Sequence, residues 1–404
     1  MLVLAPLSIL QPSWGGDIEK FTKYSFAIAH GTPEKRLKLL EKDVDIVVTN
    51  HDAVKWLAKH PKLLANFSHI VVDEFTAFKN RTSQRSRAIK TLTDIIPHAW
   101  FMSGTPNSNT ILDIWYPVKL LDGGKSLGPT FWKFRSQVCE PVQVGPNPQH
   151  IEWRDKENIE EDVADLLKHM TIRFDFEECL DIPENKVSNI TLEMPQWLRT
   201  KYETFIEQSY IETEEGHMTA LHAGAKVKKA LQMLSGAVYN DQGEVFKVHT
   251  ERYALIMDLI KERKQCVIGF NYRHERANLV EMAEKQGVTY GVIDGSVKVG
   301  DRNHYISEFQ NRKIQALFIH PKSGGHGLTL TAGTATIWAS PTYDAEHYAQ
   351  FNKRIHRAGQ TKKTETIRIA YEGSKEIEVY EKLDGKMGRM EELLSLLQQY
   401  SREQ

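Results

Sequence analysis

Short apolar runs alternate with polar, helix-patterned segments in two separate stretches of this chain. The runs lie at 2–5, 46–49, 69–72 and 99–102 in the first third, and at 265–270, 289–293, 316–320, 336–339 and 365–371 in the last third. Segments with helical periodicity separate them, for example 33–42, 82–93, 274–286 and 301–310. This alternation is typical of βαβ units, whose strands form a parallel sheet with helices on its faces. The sequence therefore predicts an α/β protein with two parallel-sheet domains.

The length and the middle of the chain complete this division. A chain of 404 residues suits two domains or three, and 41% hydrophobic with 26% charged residues is an ordinary globular composition. Residues 155–248 are charged and mostly helical in pattern. We expect a first domain at 1–154, a helical insertion and linker at 155–248, and a second domain at 249–404.

Charge and cysteine usage exclude several classes of protein. The formal net charge is −1, so any contact with DNA must come from local clusters and not from a global basic field. The three cysteines are widely spaced, which predicts neither a disulfide framework nor a zinc site and fits a reducing cytoplasm. No apolar stretch approaches the length of a membrane span, so we expect no membrane association.

Two carboxylates follow the third apolar run directly. Asp73 and Glu74 end the stretch His-Ile-Val-Val-Asp-Glu, and ligands of parallel sheets bind at the carboxyl ends of the strands. At that position Asp73 would hold Mg²⁺ and Glu74 would orient or deprotonate a water molecule. The alternative is a strand that runs into a solvated acidic turn. Ser103-Gly-Thr-Pro106 follows the next run, where its hydroxyls would lie beside the carboxylates.

A basic string occupies residues 350–360, which read Gln-Phe-Asn-Lys-Arg-Ile-His-Arg-Ala-Gly-Gln. If this segment is helical, Arg354 and Arg357 lie on one face, because residues three apart are helix neighbours. Positioned guanidinium groups suit phosphoryl transfer, where they stabilise the charge of the transition state. A solvated basic helix is the alternative, and it does not account for the Gln, His and Gly-Gln at their set offsets.

The basic string resembles motif VI of superfamily-2 helicases, in the form found in the Swi/Snf-type DNA-translocating ATPases. Asp73-Glu74 resembles motif II, although Thr76 stands where the family usually has His, and 103–106 resembles motif III. Similarities to motifs Ia, Ib, IV and V occur at 2–14, 47–52, 266–272 and 323–331. The resemblance covers nearly the whole chain. The compact size of the chain and the sequence Tyr343-Asp-Ala345 favour a phage or bacterial form of the family. We therefore expect the protein in the cytoplasm of a bacterial or phage-infected cell.

The resemblance implies two RecA-like domains that hydrolyse ATP with Mg²⁺ and move along duplex DNA. It implies catalytic roles for Asp73, Glu74, Arg354 and Arg357, with Gln350 coupling the domains. The remaining expected positions are nucleotide contacts at Ser103, Thr105, Gly325 and Gly327, and DNA contacts at Pro6, Ser8, Thr49, Asn50, Asn271 and Thr329.

One expected part of such an ATPase is missing from this sequence. A P-loop, G-x-x-x-x-G-K-[ST], should precede motif Ia, since its backbone N–H groups and Lys cradle the phosphates. The only Gly-Lys-Ser is 124–126, with Lys119 at the place of the first glycine, and we interpret it as an ordinary loop. The P-loop would therefore be encoded upstream, which we favour because the other catalytic residues are kept. Alternatively a second polypeptide supplies it, as in a split ATPase, or the chain is a non-hydrolysing DNA-binding or regulatory module.

Overall fold

The apolar runs near the N-terminus form one five-stranded parallel sheet in the computed structural model. The structure describes residues 1–144, 149, 151–174, 182–208, 210–213, 216–219, 223–240, 242–324 and 327–402. The chain divides into two units, Met1–Asp175 with Lys386–Gln404, and Phe176–Gly385. The strands of the first sheet, in spatial order, are β2 (Phe26–Ile28), β3 (Ile46–Asn50), β1 (Leu2–Ala5), β4 (His69–Asp73) and β5 (His98–Met102).

The two faces of this sheet are covered by different helices. Leu2, Leu4, Ile70 and Val72 face one large cluster, to which α2, α3, α4 and α5 contribute; these helices are Pro33–Leu40, Val54–Leu57, Pro61–Leu64 and Gln84–Ile95. Val3 and Val71 face the opposite way, into a smaller cluster with Ile18 of α1 (Gly16–Phe21). Alternate residues of a strand point to opposite faces, which explains this division.

Local signals fix where these helices begin and end. Thr32 and Ser83 cap the N-termini of α2 and α5, because their hydroxyls accept hydrogen bonds from the backbone N–H groups of Lys35 and Ser86. The helix α6 (Trp115–Asp122) ends at Gly123, whose φ of 73° is the left-handed conformation that glycine adopts readily. The rest of this unit comprises α7 (Phe131–Val138), the antiparallel pair β6 (Cys139–Gln143) and β7 (Ile151–Asp155), and α8 (Ile159–Leu167).

The second unit contains a six-stranded parallel sheet with a buried centre. In spatial order its strands are β14 (Tyr290–Ile293), β15 (Ala316–Ile319), β13 (Cys266–Gly269), β16 (Ala335–Trp338), β17 (Thr364–Tyr371) and β8 (Asn185–Leu192). Every residue of β13, β15 and β16 is buried, as expected for central parallel strands. The predicted class, α/β with two parallel-sheet domains, is confirmed.

The remaining elements of the described chain lie around this second sheet or end the chain. They are α9 (Gln196–Gln208), the hairpins β9 (Tyr210–Thr213) with β10 (Gly216–Thr219) and β11 (Ala237–Tyr239) with β12 (Val245–Lys247), α10 (Ala223–Leu234), α11 (Glu251–Arg263), α12 (Arg273–Gln286), α13 (Val299–Gln310), α14 (Pro321–Gly324), α15 (Ala345–Asn352) and α16 (Lys375–Arg402). None of the helices within the described ranges is both long and apolar enough to cross a membrane.

All nine predicted strands are present, with ends that differ by no more than one residue, and two further strands join the sheets. The three-residue β2 is one of them. The other is β8, which lies in the segment predicted to be a helical insertion and pairs in parallel with β17 along eight residues. The middle of the chain therefore contributes an edge strand to the second sheet as well as helices.

Candidate functional site

The predicted first-unit residues meet along one edge of the first sheet. Four neighbouring parallel strands, β3, β1, β4 and β5, end there, and the pairing of Ala5 with Asn50 and of Asp73 with Met102 fixes their alignment. Asn50 is the last residue of β3, and the segments that follow the other three strands carry Pro6, Ser8, Glu74, Ser103 and Thr105. Carboxyl ends of parallel strands are the usual place for ligands in such sheets.

Asp73 is held in a partly buried position by two neighbours that its sequence motif did not reveal. The indole Nε1–H of Trp14 donates a hydrogen bond to Asp73 Oδ2 at 2.9 Å, and His51 Nε2 lies 2.8 Å from the Asp73 carbonyl oxygen. Because a carbonyl only accepts, His51 carries its proton on Nε2. Burial lowers the pKa of His51 to about 4, so it is neutral at pH 7. Burial also raises the pKa of Asp73, while the bond from Trp14 opposes that shift.

Glu74 stands in a strained backbone conformation. Its φ and ψ of 51° and 58° lie in the left-handed region, which costs a residue other than glycine of the order of 1 kcal/mol. The conformation ends β4 and turns the chain into the short 3-10 helix Phe75–Phe78. Thr76, at the position where the family usually has His, is buried in this turn. Such strain often accompanies functional sites, where the surrounding structure holds a side chain in one direction.

The loop after β5 is tied to the turn after Glu74 by a partly buried ion pair. Lys79 Nζ lies 3.0 Å from Asp113 Oδ2 and 3.2 Å from Ser108 Oγ. The same Asp113 carboxylate accepts the backbone N–H of Asn109 at 3.1 Å. The segments that contain motifs II and III are therefore connected directly.

Within this loop the two predicted nucleotide contacts differ. Ser103 Oγ accepts the backbone N–H of Thr105 at 3.0 Å, which closes a tight turn. Thr105 is buried, and its Oγ1 has no hydrogen-bond partner among the described residues. A buried hydroxyl without a partner is uncommon and suits a group that binds a ligand.

The predicted DNA contacts of the first unit are not equally accessible. Ser8 is half-buried, whereas Pro6 and Asn50 are buried. Thr49 is fully buried, and its hydroxyl donates to the Ala29 carbonyl at 2.6 Å. That hydroxyl is committed to the fold, so a role of Thr49 in DNA binding would have to be indirect.

The Gly-Lys-Ser sequence at 124–126 has no phosphate-binding geometry. The Asp122 carboxylate accepts the backbone N–H groups of Gly124 and Ser126, both at 2.7 Å. A P-loop needs such N–H groups for a phosphate, and a carboxylate in their place would repel one. The structure agrees with the interpretation of this segment as a loop.

In the second unit, Arg354 and Arg357 follow a helix but do not belong to it. The prediction that they lie on one helical face required this segment to be helical. It is not, because α15 ends at Asn352 and turns follow. Arg354 Nε donates to the Gln350 carbonyl at 2.8 Å, and Arg357 Nη1 donates to the Leu328 carbonyl at 3.0 Å. The backbone N–H of Leu330 in turn donates to the Arg354 carbonyl at 2.9 Å. Hydrogen bonds therefore join the segments of motifs V and VI.

Two buried glutamines of motif VI differ in the hydrogen bonding of their side-chain amides. The Gln360 amide donates from Nε2 to the carbonyls of Thr331, Gly333 and Ile355, and its Oε1 accepts the N–H groups of Thr361 and Lys362. Gln350 is also buried, yet neither its Nε2 nor its Oε1 has a hydrogen-bond partner among the described residues. Gln360 thus fixes the turn, while Gln350 has binding capacity that the described structure does not use.

The other predicted residues of the second unit are spread over several segments. Thr329 is exposed, and Gly327 has a φ of 73° in the turn before it. Gly325 lies outside the described residues. Asn271 follows β13, and its amide Nδ2 donates to Ser340 and Pro341, so it joins two strand ends. Trp14, His51, Lys79 and Asp113 were not predicted as site residues; nothing in their spacing indicates what they contact.

Comparison with models of known protein families identifies the class of this protein. A model of the SNF2-related domain matches residues 1–242, and one of the helicase conserved C-terminal domain matches residues 251–359. Since the first match alone covers more than half of the chain, this protein belongs to the SNF2 family of helicase-like ATPases. The resemblance seen in the motifs is therefore confirmed.

Its relatives include phage, bacterial and eukaryotic proteins. Protein p41 of Acyrthosiphon pisum secondary endosymbiont phage 1 is 26% identical over 88% of this chain and 77% of its own length. An uncharacterized ATP-dependent helicase, MG018, of Mycoplasma genitalium is 22% identical, and the ISWI chromatin-remodeling complex ATPase ISW1 of Saccharomyces cerevisiae is 21% identical. This chain matches only 34% and 36% of the lengths of those two proteins.

Among solved structures, the chain is similar to a Sulfolobus solfataricus SWI2/SNF2 ATPase core in complex with dsDNA. The identity is 19%, and the alignment covers 98% of this chain and 82% of that one. The TM-score is 0.38, which is too low for a comparison of the two architectures.

Proposed function

We propose that this chain forms most of a DNA-dependent ATPase that translocates along duplex DNA, with 1–154 and 249–404 as its motor domains and 155–248 as insertion and linker. The observation that carries the proposal is the pair Asp73 and Glu74 at the end of a buried parallel strand, next to the Ser103–Thr105 turn. Family membership supports ATP as the substrate. The small net charge assigns DNA binding to local contacts at strand ends.

Asp73 has the chemistry of a magnesium ligand. Mg²⁺ is commonly bound by one or two carboxylates together with substrate phosphates, and Asp73 provides one partly buried carboxylate that accepts a hydrogen bond from Trp14. When bound with ATP, Mg²⁺ neutralises phosphate charge. Trp14 and His51 would keep the carboxylate in place, the former through Oδ2 and the latter through the backbone.

The remaining residues would act directly on the reacting groups. Glu74 orients the attacking water and accepts its proton, while the water oxygen bonds to the γ-phosphorus. The bond between that phosphorus and the β,γ-bridging oxygen breaks, which gives ADP and phosphate. Arg354 and Arg357 supply positive charge to the γ-phosphoryl oxygens. The Thr105 hydroxyl and the Gln350 amide, which make no hydrogen bonds within the described fold, contact the nucleotide.

The test is ATP hydrolysis by the 404-residue chain, with and without duplex DNA, beside a chain extended through the coding sequence upstream of Met1. We expect DNA-stimulated turnover in the extended chain and a loss of at least 100-fold, as an order of magnitude, in its Glu74→Gln variant. Binding of DNA that ATP and Glu74→Gln leave unchanged, without turnover in either chain, would instead support a regulatory DNA-binding module. Activity that appears only when a separate polypeptide is mixed in would support a split ATPase.

A further inference from the structure

Two arginines stack against one exposed tryptophan on the surface of the first unit. The guanidinium carbon of Arg81 lies 5.3 Å from the centre of the Trp132 ring, and that of Arg135 lies 4.6 Å from the same centre. Arg135 is also 3.8 Å from the ring centre of Trp153, and Arg81 is 4.8 Å from that of Phe131. Trp132 nevertheless has 58% of its surface exposed. We call Arg81, Arg135 and Trp132 the arginine platform.

Three separate segments of the chain build the arginine platform and its support. Arg81 lies in the turn that precedes α5. Trp132 and Arg135 are three residues apart on α7, so they share one face of that helix. Phe131 and Trp153 pack against a buried cluster to which α6, α7 and α8 contribute. Core packing therefore fixes the two supporting rings, while Trp132 stays at the surface between the arginines.

The positive charge of the platform is not balanced within the described part of the chain. Neither guanidinium group has an ion pair or a hydrogen bond with a described residue, and the buried Nε of Arg135 has no partner there. The acidic residues of β7, Glu152 and Asp155, bond instead to Arg154 and to Thr110. Two like charges against one ring repel each other, so an anion that bridges them would be stabilising.

The sequence around Arg81 adds to this local positive charge. Residues 79–90 contain several Lys and Arg and no acidic residue. Aspartates from other positions pair with Lys79, Arg85 and Lys90, whereas Arg81 stacks on the aromatic rings. The net charge of the whole chain is −1, so a contact with DNA requires a local cluster of this kind.

We propose that Arg81 and Arg135, held against Trp132, bind backbone phosphates of duplex DNA at a site separate from the strand-end residues named by the motifs. A guanidinium group offers two parallel N–H donors that match two phosphate oxygens, and stacking on a ring leaves those donors free at its edge. Stacking also orders the side chains before DNA binds, which reduces the entropy lost on binding. Phosphate contacts position a protein on DNA without reading its sequence. The assignment rests on the DNA binding in the proposed function and does not require ATP hydrolysis.

The salt dependence of DNA binding tests the platform without any measurement of ATP turnover. The probe is a fluorescently labelled blunt duplex, titrated with the 404-residue chain without nucleotide at NaCl concentrations from about 50 to 200 mM. Each phosphate contact contributes about 0.9 to the slope of log K against log [NaCl]. We expect the double variant Arg81→Gln/Arg135→Gln to reduce that slope by about 2 and to bind about 10-fold more weakly, equally for duplexes of different sequence. An unchanged slope in the double variant would overturn the proposal, as would a wild-type chain that does not bind the duplex.

Arg36→Gln is the matched control for charge and stacking. The guanidinium carbon of Arg36 lies 5.7 Å from the ring centre of Trp56, but no second arginine of the described residues shares that ring. The substitution should leave the slope unchanged and the affinity within about 2-fold of wild type, because a distant charge is screened by salt. A loss per removed charge as large as that of the double variant would overturn the proposal, since charge alone would then explain the effect.

Two further variants separate the ring from the charges and guard against misfolding. Trp132→Ala keeps both arginines, so it should retain the slope and weaken binding by about 3-fold or more, and Trp132→Phe should restore the affinity. If the double variant unfolds at a lower Tm, Arg81→Gln alone, in its turn, should still reduce the slope by about 0.9. The expected slope change without ATP hydrolysis in any form of the chain would retain the platform and reject the ATPase. DNA-stimulated hydrolysis with equal slopes in wild type and double variant would retain the ATPase and reject the platform.

Discussion

Asp73 illustrates how a residue proposed to bind Mg²⁺ can lower the stability of its own fold. Because its folded pKa is raised by burial, the ionised carboxylate costs free energy at neutral pH, and this cost fades as the pH falls through the raised pKa. We therefore expect Asp73→Asn to stabilise the chain by about 1 kcal/mol at pH 7 while ATP turnover is lost. Unfolding measured between pH 4.5 and 7.5 checks this, and the gain should grow with pH. A gain independent of pH would contradict the assigned cause.

Gln350 and Gln360 form a matched pair of one residue type in one segment. A buried amide without partners costs about 1–3 kcal/mol, so Gln350→Met should leave stability unchanged or raise it by about 1 kcal/mol. Gln360→Met removes a fully bonded amide and should destabilise the chain by about 2–3 kcal/mol. Urea unfolding measures both. We expect Gln350→Met to reduce DNA-stimulated turnover despite its stability; normal turnover would show that the amide has no function.

At the scale of elements, the ion pair Lys79–Asp113 connects the segments of motifs II and III in the first unit. Both side chains are largely buried, so Asp113→Asn should cost about 1–2 kcal/mol and loosen the loop that follows β5. The control is Asp94→Asn, whose partner Lys90 forms an exposed pair within α5 and should contribute less than about 0.5 kcal/mol. Chemical unfolding of both variants tests this, and equal losses would show that the buried pair has no special role.

The elements also show how far the sequence could predict this fold. The central strands β1, β3, β4, β13 and β15 were predictable because buried parallel strands are continuous apolar runs. The edge strand β8 was not, since its residues alternate between exposed and half-buried and its pairing with β17 spans a separation that no local pattern reveals. The end of α15 at Asn352 was missed for a related reason. The turns after it are fixed by Gln360, whose amide bonds are contacts that only the folded chain makes.

The residues of the candidate site were predictable from their type, whereas the residues that hold them in place were not. Asp73, Glu74 and the two arginines carry charges that the chemistry needs, and a sequence displays them directly. Trp14 is 59 positions from Asp73 and Lys79 is 34 positions from Asp113, so these contacts arise only from the order of the strands. The predicted DNA contacts stay predictions. For Thr49 the sequence could not show that its hydroxyl is buried and bonded within the fold.

At the scale of the whole molecule, the residues of the proposed reaction belong to different units. Glu74 lies in the first unit, and Arg357 lies in the second, where it is anchored to the Leu328 carbonyl. If the two side chains serve one chemical step, removing either one removes the step, and their effects cannot add. If they serve separate activities, the effects are independent.

We therefore expect Glu74→Gln and Arg357→Ala each to lower DNA-stimulated ATP turnover by at least about 100-fold, and the double variant to be no slower than the more severe single variant. The comparison uses whichever form of the chain, 404-residue or extended, hydrolyses ATP. Lys382→Ala, an exposed position on α16, is the charge-matched control and should keep full turnover. Losses that multiply in the double variant would indicate separate activities. A wild-type rate in Arg357→Ala would show that Arg357 takes no part in the mechanism. The proposal would then rest on the carboxylates of the first unit.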